Sequence, residues 1–219
     1  MGDVRVASVN VGRPVPLRVA GEIVPSAIGK QPVAGPVAVG RTNVAGDEQG
    51  DKVNHGGPEQ AVYAYAAEDA AWWGAQLGRE LAPGTFGENL TLEGVDVNGA
   101  RIGERWRIGT AELRVAGPRV PCQKLATQIG DPAFVRRFTL ALRPGAYLAV
   151  TREGELQAGD ELHVVHRPAH DVSVALALEV LLLAPHRLAE LEPARPDMLV
   201  KLAGWVDERG RSRAARGAA

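Results

Sequence analysis

Apolar and polar residues alternate with a period of two over short stretches through the first three quarters of the chain, each closed by glycine or proline. That rhythm predicts strands. The expected set is Asp3 to Asn10, Val37 to Val39, Asn89 to Leu92, Arg105 to Ile108, Ala111 to Ala116, Tyr147 to Thr151 and Glu161 to His166. Many short strands with tight turns point to a small barrel or sandwich. Glu155 to Asp160 reads as a turn in which Gly159 supplies backbone freedom, and Ile102 to Arg105 has nearly the same spacing before a strand.

Helical spacing breaks this rhythm twice. One helix is predicted from about Pro58 to Leu81 with a break at Gly78; Ala61, Val62, Tyr65, Ala66 and Trp72-Trp73 fall mostly on one side. The tryptophans read as core or rim packing. A second helix covers about Asp131 to Leu142, with Asp131 as cap, Pro132 in the first turn, and Phe134, Val135 and Phe138 at helical spacing. After Arg167-Pro168 the pattern turns helical throughout: Val172 to Leu183, capped by Asp171 or Ser173, then Pro185 to Glu192, then Pro196 to about Arg209. Three short helices bury too little for a core of their own. They are expected to pack on the β-rich part or on each other around Leu181, Leu188, Leu199, Leu202 and Trp205.

Composition narrows the class. A chain of 219 residues buries one substantial core, or one core and a small satellite. The formal net charge is only −1, with basic and acidic residues interspersed, so nucleic acid is not expected as a main partner. No membrane span is expected, because the most apolar run, Val172 to Ala184, contains Ser173 and Glu179. A single cysteine and an N-terminus without an apolar signal core point to a reducing, cytoplasmic setting.

That cysteine, Cys122, lies in Gly117-Pro118-Arg119-Val120-Pro121-Cys122-Gln123-Lys124. Prolines fix the turn, and a flanking arginine and lysine favour a thiolate. The residues alone leave four readings open: nucleophile, sulfur carrier, soft metal ligand, or a buried apolar cysteine. Between Thr42 and Gly57, Asn43, Asp47, Gln49, Asp51, Asn54 and His55 alternate with glycines ahead of the predicted helix start, an arrangement that suits an anionic ligand. Asp47 and Asp51 are equally readable as turn formers. The segment Pro83-Gly84-Thr85-Phe86-Gly87-Glu88-Asn89-Leu90 lacks both the P-loop lysine and the three-glycine dinucleotide fingerprint. Glu88 and Asn89 there are placed to hydrogen-bond a heterocycle. No serine sits in a nucleophile elbow, whereas a Cys122–His55 hydrolase pair stays open. The other histidines, His163, His166, His170 and His186, read as structural or surface residues.

Taken together, Ile28-Gly29-Lys30-Gln31-Pro32-Val33 with Gly35-Pro36-Val37, Gly46 to Asp51, His55-Gly56-Gly57, Gly84 to Leu90, Ile102-Gly103-Glu104 and Pro118 to Cys122 resemble the MOSC family, named for the C-terminal domain of molybdenum cofactor sulfurase. More narrowly, the chain resembles the bacterial YiiM-like subgroup, with its small C-terminal three-helix extension. The resemblance implies a mainly β fold with α, a strongly twisted β-barrel-like domain over residues 1–167, a three-helix extension over 168–211 and a flexible tail over 212–219. It implies that Cys122 is the signature cysteine that carries sulfur or contacts molybdenum in the pterin cofactor. The subgroup's association with resistance to N-hydroxylated purines implies reduction of an N-hydroxyl group to an amine. A family-level association with pyridoxal phosphate binding also comes with it. Glu59-Gln60 departs from the acidic-lysine pair expected after His55-Gly56-Gly57, which alters the charge offered to an anion.

The expected activity is a molybdenum-cofactor-dependent reductase of N-hydroxylated bases, with Cys122 as metal ligand, Cys122 and His55 catalytic, and Lys30, Arg41, Asn43, His55, Thr85, Glu88, Asn89 and Arg119 binding the cofactor. Without clustered cysteines for an iron–sulfur centre, electrons must come from a separate donor protein. Two alternatives stand beside it: a persulfide carrier at Cys122, and a non-catalytic molybdopterin-binding and delivery protein. A homodimer through the alanine-rich terminal helices is compatible with the sequence.

Overall fold

In the computed structural model, which describes residues 4–50 and 56–217, half-exposed alternation becomes strand wherever one face finds the core. The strands are β1 (Arg5–Val11), β2 (Val15–Val19), β3 (Glu22–Ser26), β4 (Gln31–Val33), β5 (Val37–Val39), β6 (Val62–Ala66), β7 (Leu90–Glu93), β8 (Arg105–Ile108), β9 (Ala111–Pro118), β10 (Ala146–Arg152), β11 (Gly154–Leu156) and β12 (Leu162–His166). The α-helices are α1 (Ala67–Leu77), α2 (Gln123–Ile129), α3 (Phe134–Ala141), α4 (Val174–Leu182) and α5 (Val200–Gly217). Eight strands form one sheet in the order β12-β8-β9-β10-β6-β7-β1-β4, and β11-β5 and β2-β3 form two-stranded ladders.

The barrel-like sheet expected from the sequence does not form. The architecture is mixed α/β, with sheets neither closed into a barrel nor strongly curled. Closure needs the end strands to pair in a ladder, but β4 pairs in the sheet with β1 and β12 with β8. The start of β12 meets the start of β1 through the isolated Arg5–Glu161 bridge and three backbone bonds, Leu162 N to Val4 O, Val6 N to Asp160 O and Gly159 N to Val6 O, and neither joins β12 to the other end strand, β4. One pair, β6 with β7, is parallel, which requires a long crossover; α1 lies within it.

That crossover overturns the helix expected over Pro58 to Leu81. Its first part is a 3₁₀ turn (Pro58–Gln60) followed by β6, and only the second part is α1, which Gly78 closes in the left-handed conformation. All five β6 residues are buried: Val62, Ala64 and Ala66 enter the main core, while Tyr63 and Tyr65 enter an aromatic cluster with Trp73, Phe86, Phe134 and Phe138. A strand covered on both faces loses its polar alternation, so it imitates a buried helix. The expected turn at Glu155 to Asp160 likewise begins inside β11.

At the C-terminus, Ser173 caps α4 by accepting from Leu176 N at 3.1 Å. Pro193 and Pro196 fall within the stretch Pro185–Asp197, which winds as 3₁₀ instead of α; a proline removes the donor an α-helical ladder needs there. The start of α5 is fastened twice: Leu199 N donates to Ala116 O of β9 at 2.9 Å, and Val200 N donates to Glu59 Oε2 at 2.7 Å. A Cβ at Gly117 would lie 3.0 Å from Leu202 Cδ2. The missing side chain therefore lets the helix lie directly on β9.

Candidate functional site

Strand β9 ends at Pro118, and the chain then runs through Arg119, Val120 and Pro121 to Cys122, the residue preceding α2. Register places Tyr63 of β6 opposite Tyr147 of β10, and Tyr147 opposite Gly117 of β9. This cross-strand row builds the wall on which Arg119 rests: its guanidinium lies 5.5 Å from the centroid of the Tyr63 ring, and Tyr147 lines the same chamber. Arg119 is only 5% exposed, yet among the described residues its Nη1 has no hydrogen-bond partner. Burial opposes its charge, but Tyr63, Tyr147 and Cys122 nearby outweigh that and hold its pKa above the ordinary arginine value. A buried cation with an unused donor is a site built for an anion or acceptor.

A second hub forms around Asp47. Its carboxylate accepts from Gly12 N at 2.8 Å and from Asn89 Nδ2 at 3.0 Å, and pairs with Lys30 Nζ. Asn43 Nδ2 donates to the Asp47 carbonyl at 3.2 Å. Asp47 is thus a buried counter-ion, a more specific role than turn formation. Burial lowers the Lys30 pKa, with Asp47 opposing that shift. Asn89 spends its whole amide on structure: Oδ1 accepts from Tyr63 N at 3.1 Å, and Nδ2 also donates to Asn10 O at 3.2 Å.

Between these hubs lies a chamber of about 100 Å³, lined by Lys30, Asn89, Arg119, Cys122, Tyr63 and Tyr147 among others. On the far side of Cys122 opens a cleft of about 600 Å³ between the β2–β3 hairpin and α5, lined by Val24, Val120, Leu202 and Trp205 among others. Gln60, Cys122, Lys124 and Tyr147 line both. Cys122 is partly exposed, neither sealed in apolar core nor fully open to solvent.

The expected site residues therefore divide. Lys30, Asn89, Arg119 and Cys122 come together at the chamber. Asn43 braces its hub from behind. Arg41 does not line it; the Arg41 backbone N–H donates to Glu153 Oε1 at 2.9 Å. Thr85 closes its own turn by donating to Ala82 O at 2.6 Å. Glu88 turns inward, accepting from Gly84 N at 2.6 Å, Phe86 N at 3.0 Å and Thr91 Oγ1 at 3.0 Å; burial raises its pKa. His55 lies outside the described residues, just before chamber-lining Gly56. Tyr63 and Tyr147 were not read as site residues in the sequence, and Gln60 entered only as a departure from the pair expected after His55-Gly56-Gly57. The alternation Val62-Tyr63-Ala64-Tyr65-Ala66 was the available signal, obscured by the adjoining helix.

The profile of the MOSC domain matches residues 51–163. An uncharacterized protein of Bacillus subtilis, YflK, is 37% identical over 172 residues, covering 78% of each chain. Protein YiiM of Escherichia coli is 31% identical over 160 residues, 71% of this chain and 70% of that one. A protein of Gibberella moniliformis named reductase is 34% identical over 164 residues, 73% of this chain but 29% of its own length. Among solved structures, YiiM from Geobacillus stearothermophilus superposes with a TM-score of 0.79 at 28% identity, covering 94% of this chain and 98% of that one, the C-terminal helical region included. Neither these matches nor the geometry supports pyridoxal phosphate. Among the described residues no helix is long and apolar enough to cross a membrane.

Proposed function

The chain belongs to the MOSC domain family and is related to YiiM, and from that premise we propose a molybdenum-cofactor-dependent reductase of N-hydroxylated bases or related small compounds. The observation that carries this reading is the pairing of a partly exposed thiol with a buried arginine whose Nη1 has no partner among the described residues, both lining one chamber. Among the described residues no three His, Cys, Asp or Glu side chains converge on a point, so the protein offers one soft donor and no cage. That donor set fits a metal that arrives with ligands of its own. Cys122 would supply the thiolate and Arg119 the anion contact. Lys30, already neutralised by Asp47, would bring a donor but little net charge.

When bound, the group supplies two-electron redox chemistry at a sulfur-ligated metal. The net conversion is an N-hydroxylamine plus two electrons and two protons giving an amine and water. The electrons come from a separate redox protein, and His55, next but one in sequence to Gly57, remains the proposed proton donor. A reducing, cytoplasmic setting, which keeps Cys122 a thiol, belongs to the same proposal, as does the division into a MOSC unit over 1–167 and a helical extension over 168–211. A relative named reductase, matched over 29% of its own length, is consistent with a reductase reading.

Purification from a host that makes the cofactor is expected to yield about one molybdenum per chain, the single-thiolate stoichiometry, with the metal lost in Cys122→Ala and weakened in Arg119→Met. Absence of molybdenum together with failed reconstitution overturns the proposal. A labile gain of about 32 Da on Cys122 after incubation with a sulfur donor would move the assignment to a persulfide carrier.

A further inference from the structure

Chamber and cleft meet at Gln60, Cys122, Lys124 and Tyr147, and the two spaces differ in size and chemistry. A chamber of about 100 Å³ holds an oxyanion-sized group or a few waters. A cleft of about 600 Å³ falls in the range of small-molecule sites. The cleft's walls are aliphatic at Val24, Val120, Leu199 and Leu202 and aromatic at Trp205, which is 39% exposed. At the junction, Gln60 Oε1 is buried and has no hydrogen-bond partner among the described residues. A buried acceptor left unsatisfied costs about 1–3 kcal/mol, so its persistence on a cavity wall needs a reason. A ligand that donates to it supplies one.

The cleft is also a fixed feature. It exists because α5 lies against β9, held by the Leu199 and Val200 backbone bonds and by the contact space at Gly117. Residues on α5 and on the hairpin therefore reach a thiol that lies about 80 residues from α5 in sequence.

We propose that the cleft is a binding site for a planar nitrogen heterocycle, whose ring lies against Trp205 and Leu202 and whose N–H edge donates to Gln60 Oε1, presenting the ring's substituent to Cys122. Trp205, Leu202 and Gln60 are then specificity-determining residues contributed by the C-terminal helix and by the 3₁₀ turn before β6. The ring has two sources, the substrate base or the pterin of the cofactor. Only the naming of these sources rests on the function proposed above; occupancy of the cleft does not.

The test uses metal-free full-length protein and the alkylation of Cys122 by iodoacetamide, which reads one site because the chain has one cysteine. Adenine and pterin at millimolar concentration are expected to slow alkylation at least 5-fold, and cyclohexanecarboxamide, an amide without a flat ring, is expected not to. Trp205→Ala and Gln60→Met should each reduce the protection several-fold while the unprotected alkylation rate and the melting temperature stay near those of the parent. A second arm separates the sources: loss of bound pterin from Trp205→Ala made in a cofactor-producing host assigns the ring to the cofactor, whereas retained pterin with lost adenine protection assigns it to the substrate. No protection by either heterocycle, or full protection in both variants, overturns the proposal. So does sedimentation showing a dimer whose formation itself shields Cys122, since the cleft would then belong to a second copy of the chain.

Discussion

Replacing Asp47 by asparagine keeps the shape of the side chain and removes the charge that Lys30 faces. Both side chains are deeply buried, with 8% of Lys30 and 2% of Asp47 exposed, so water cannot take over the ammonium. Removing one partner of such a pair costs about 3–5 kcal/mol; asparagine still accepts from Gly12 N but turns an amino group toward Asn89 Nδ2, so about 3 kcal/mol is the least expected. For a chain of this size that is a fall of roughly 6–12 °C in melting temperature. The cost has a pH signature. Burial already holds the folded Lys30 pKa below the ordinary lysine value of 10.5, and Asp47 is what pulls it back up. Without Asp47 the folded value drops further, the unfolded chain binds more protons, and the deficit shrinks as pH rises toward 10.5. Denaturant melts across that range measure both effects. Lys30→Met added to Asp47→Asn should recover at least about 1 kcal/mol, because the orphaned charge is gone. A single variant within about 1 kcal/mol of the parent, or a double variant no more stable than Asp47→Asn, would refute the reasoning.

The three tyrosines, Tyr63, Tyr65 and Tyr147, are expected to stay neutral past the ordinary phenol range, since burial raises all three pKa values, most strongly for Tyr63 and Tyr65. Their raised folded values favour folding below the unfolded pKa of about 10 and withdraw that support above it. Tyrosinate absorbance should therefore appear together with alkaline unfolding, and one tyrosine titrating near pH 10 in an intact fold would contradict this. Glu59→Gln weakens the bond from Val200 N that fastens α5. It should cost about 0.5–2 kcal/mol and speed amide exchange at residues 200–206 while leaving β9 protected; unchanged exchange at the helix start would count against the anchoring role.

Some of the molecule is written locally. In β8, Arg105 and Arg107 face out while Trp106 and Ile108 are buried, and that alternation is visible without a partner strand. The caps at Gly78 and Ser173 and the grouping of Arg119 with Cys122 are equally local, because each depends on residues within one or two turns of chain. Such features obey backbone preferences and short-range hydrogen bonding. Four of the expected site residues, Lys30, Asn89, Arg119 and Cys122, reach the chamber for a different reason, as the resemblance grouped them before any pairing was known. Thr85 and Glu88 shared those motifs and Arg41 lies between two of them, but their roles follow from turns and carboxylate orientation that a motif does not specify.

The sequence by itself determined half-exposed strands such as β8 and β9, the helix caps, the family and the thiol beside an arginine, while β2, β3, β4 and β11 went unread in it. Tertiary structure decided that β6 is a strand, since burial on both faces erases the polar positions that would mark it. It decided that Asp47 answers Lys30 and that Tyr63, Tyr147 and Gly117 align across three strands. It also decided that the sheet stays open and that α5 walls a cleft ending at Cys122. Each of these is a meeting of residues far apart in the chain. Periodicity records which side of an element is covered, and only long-range packing settles what covers it.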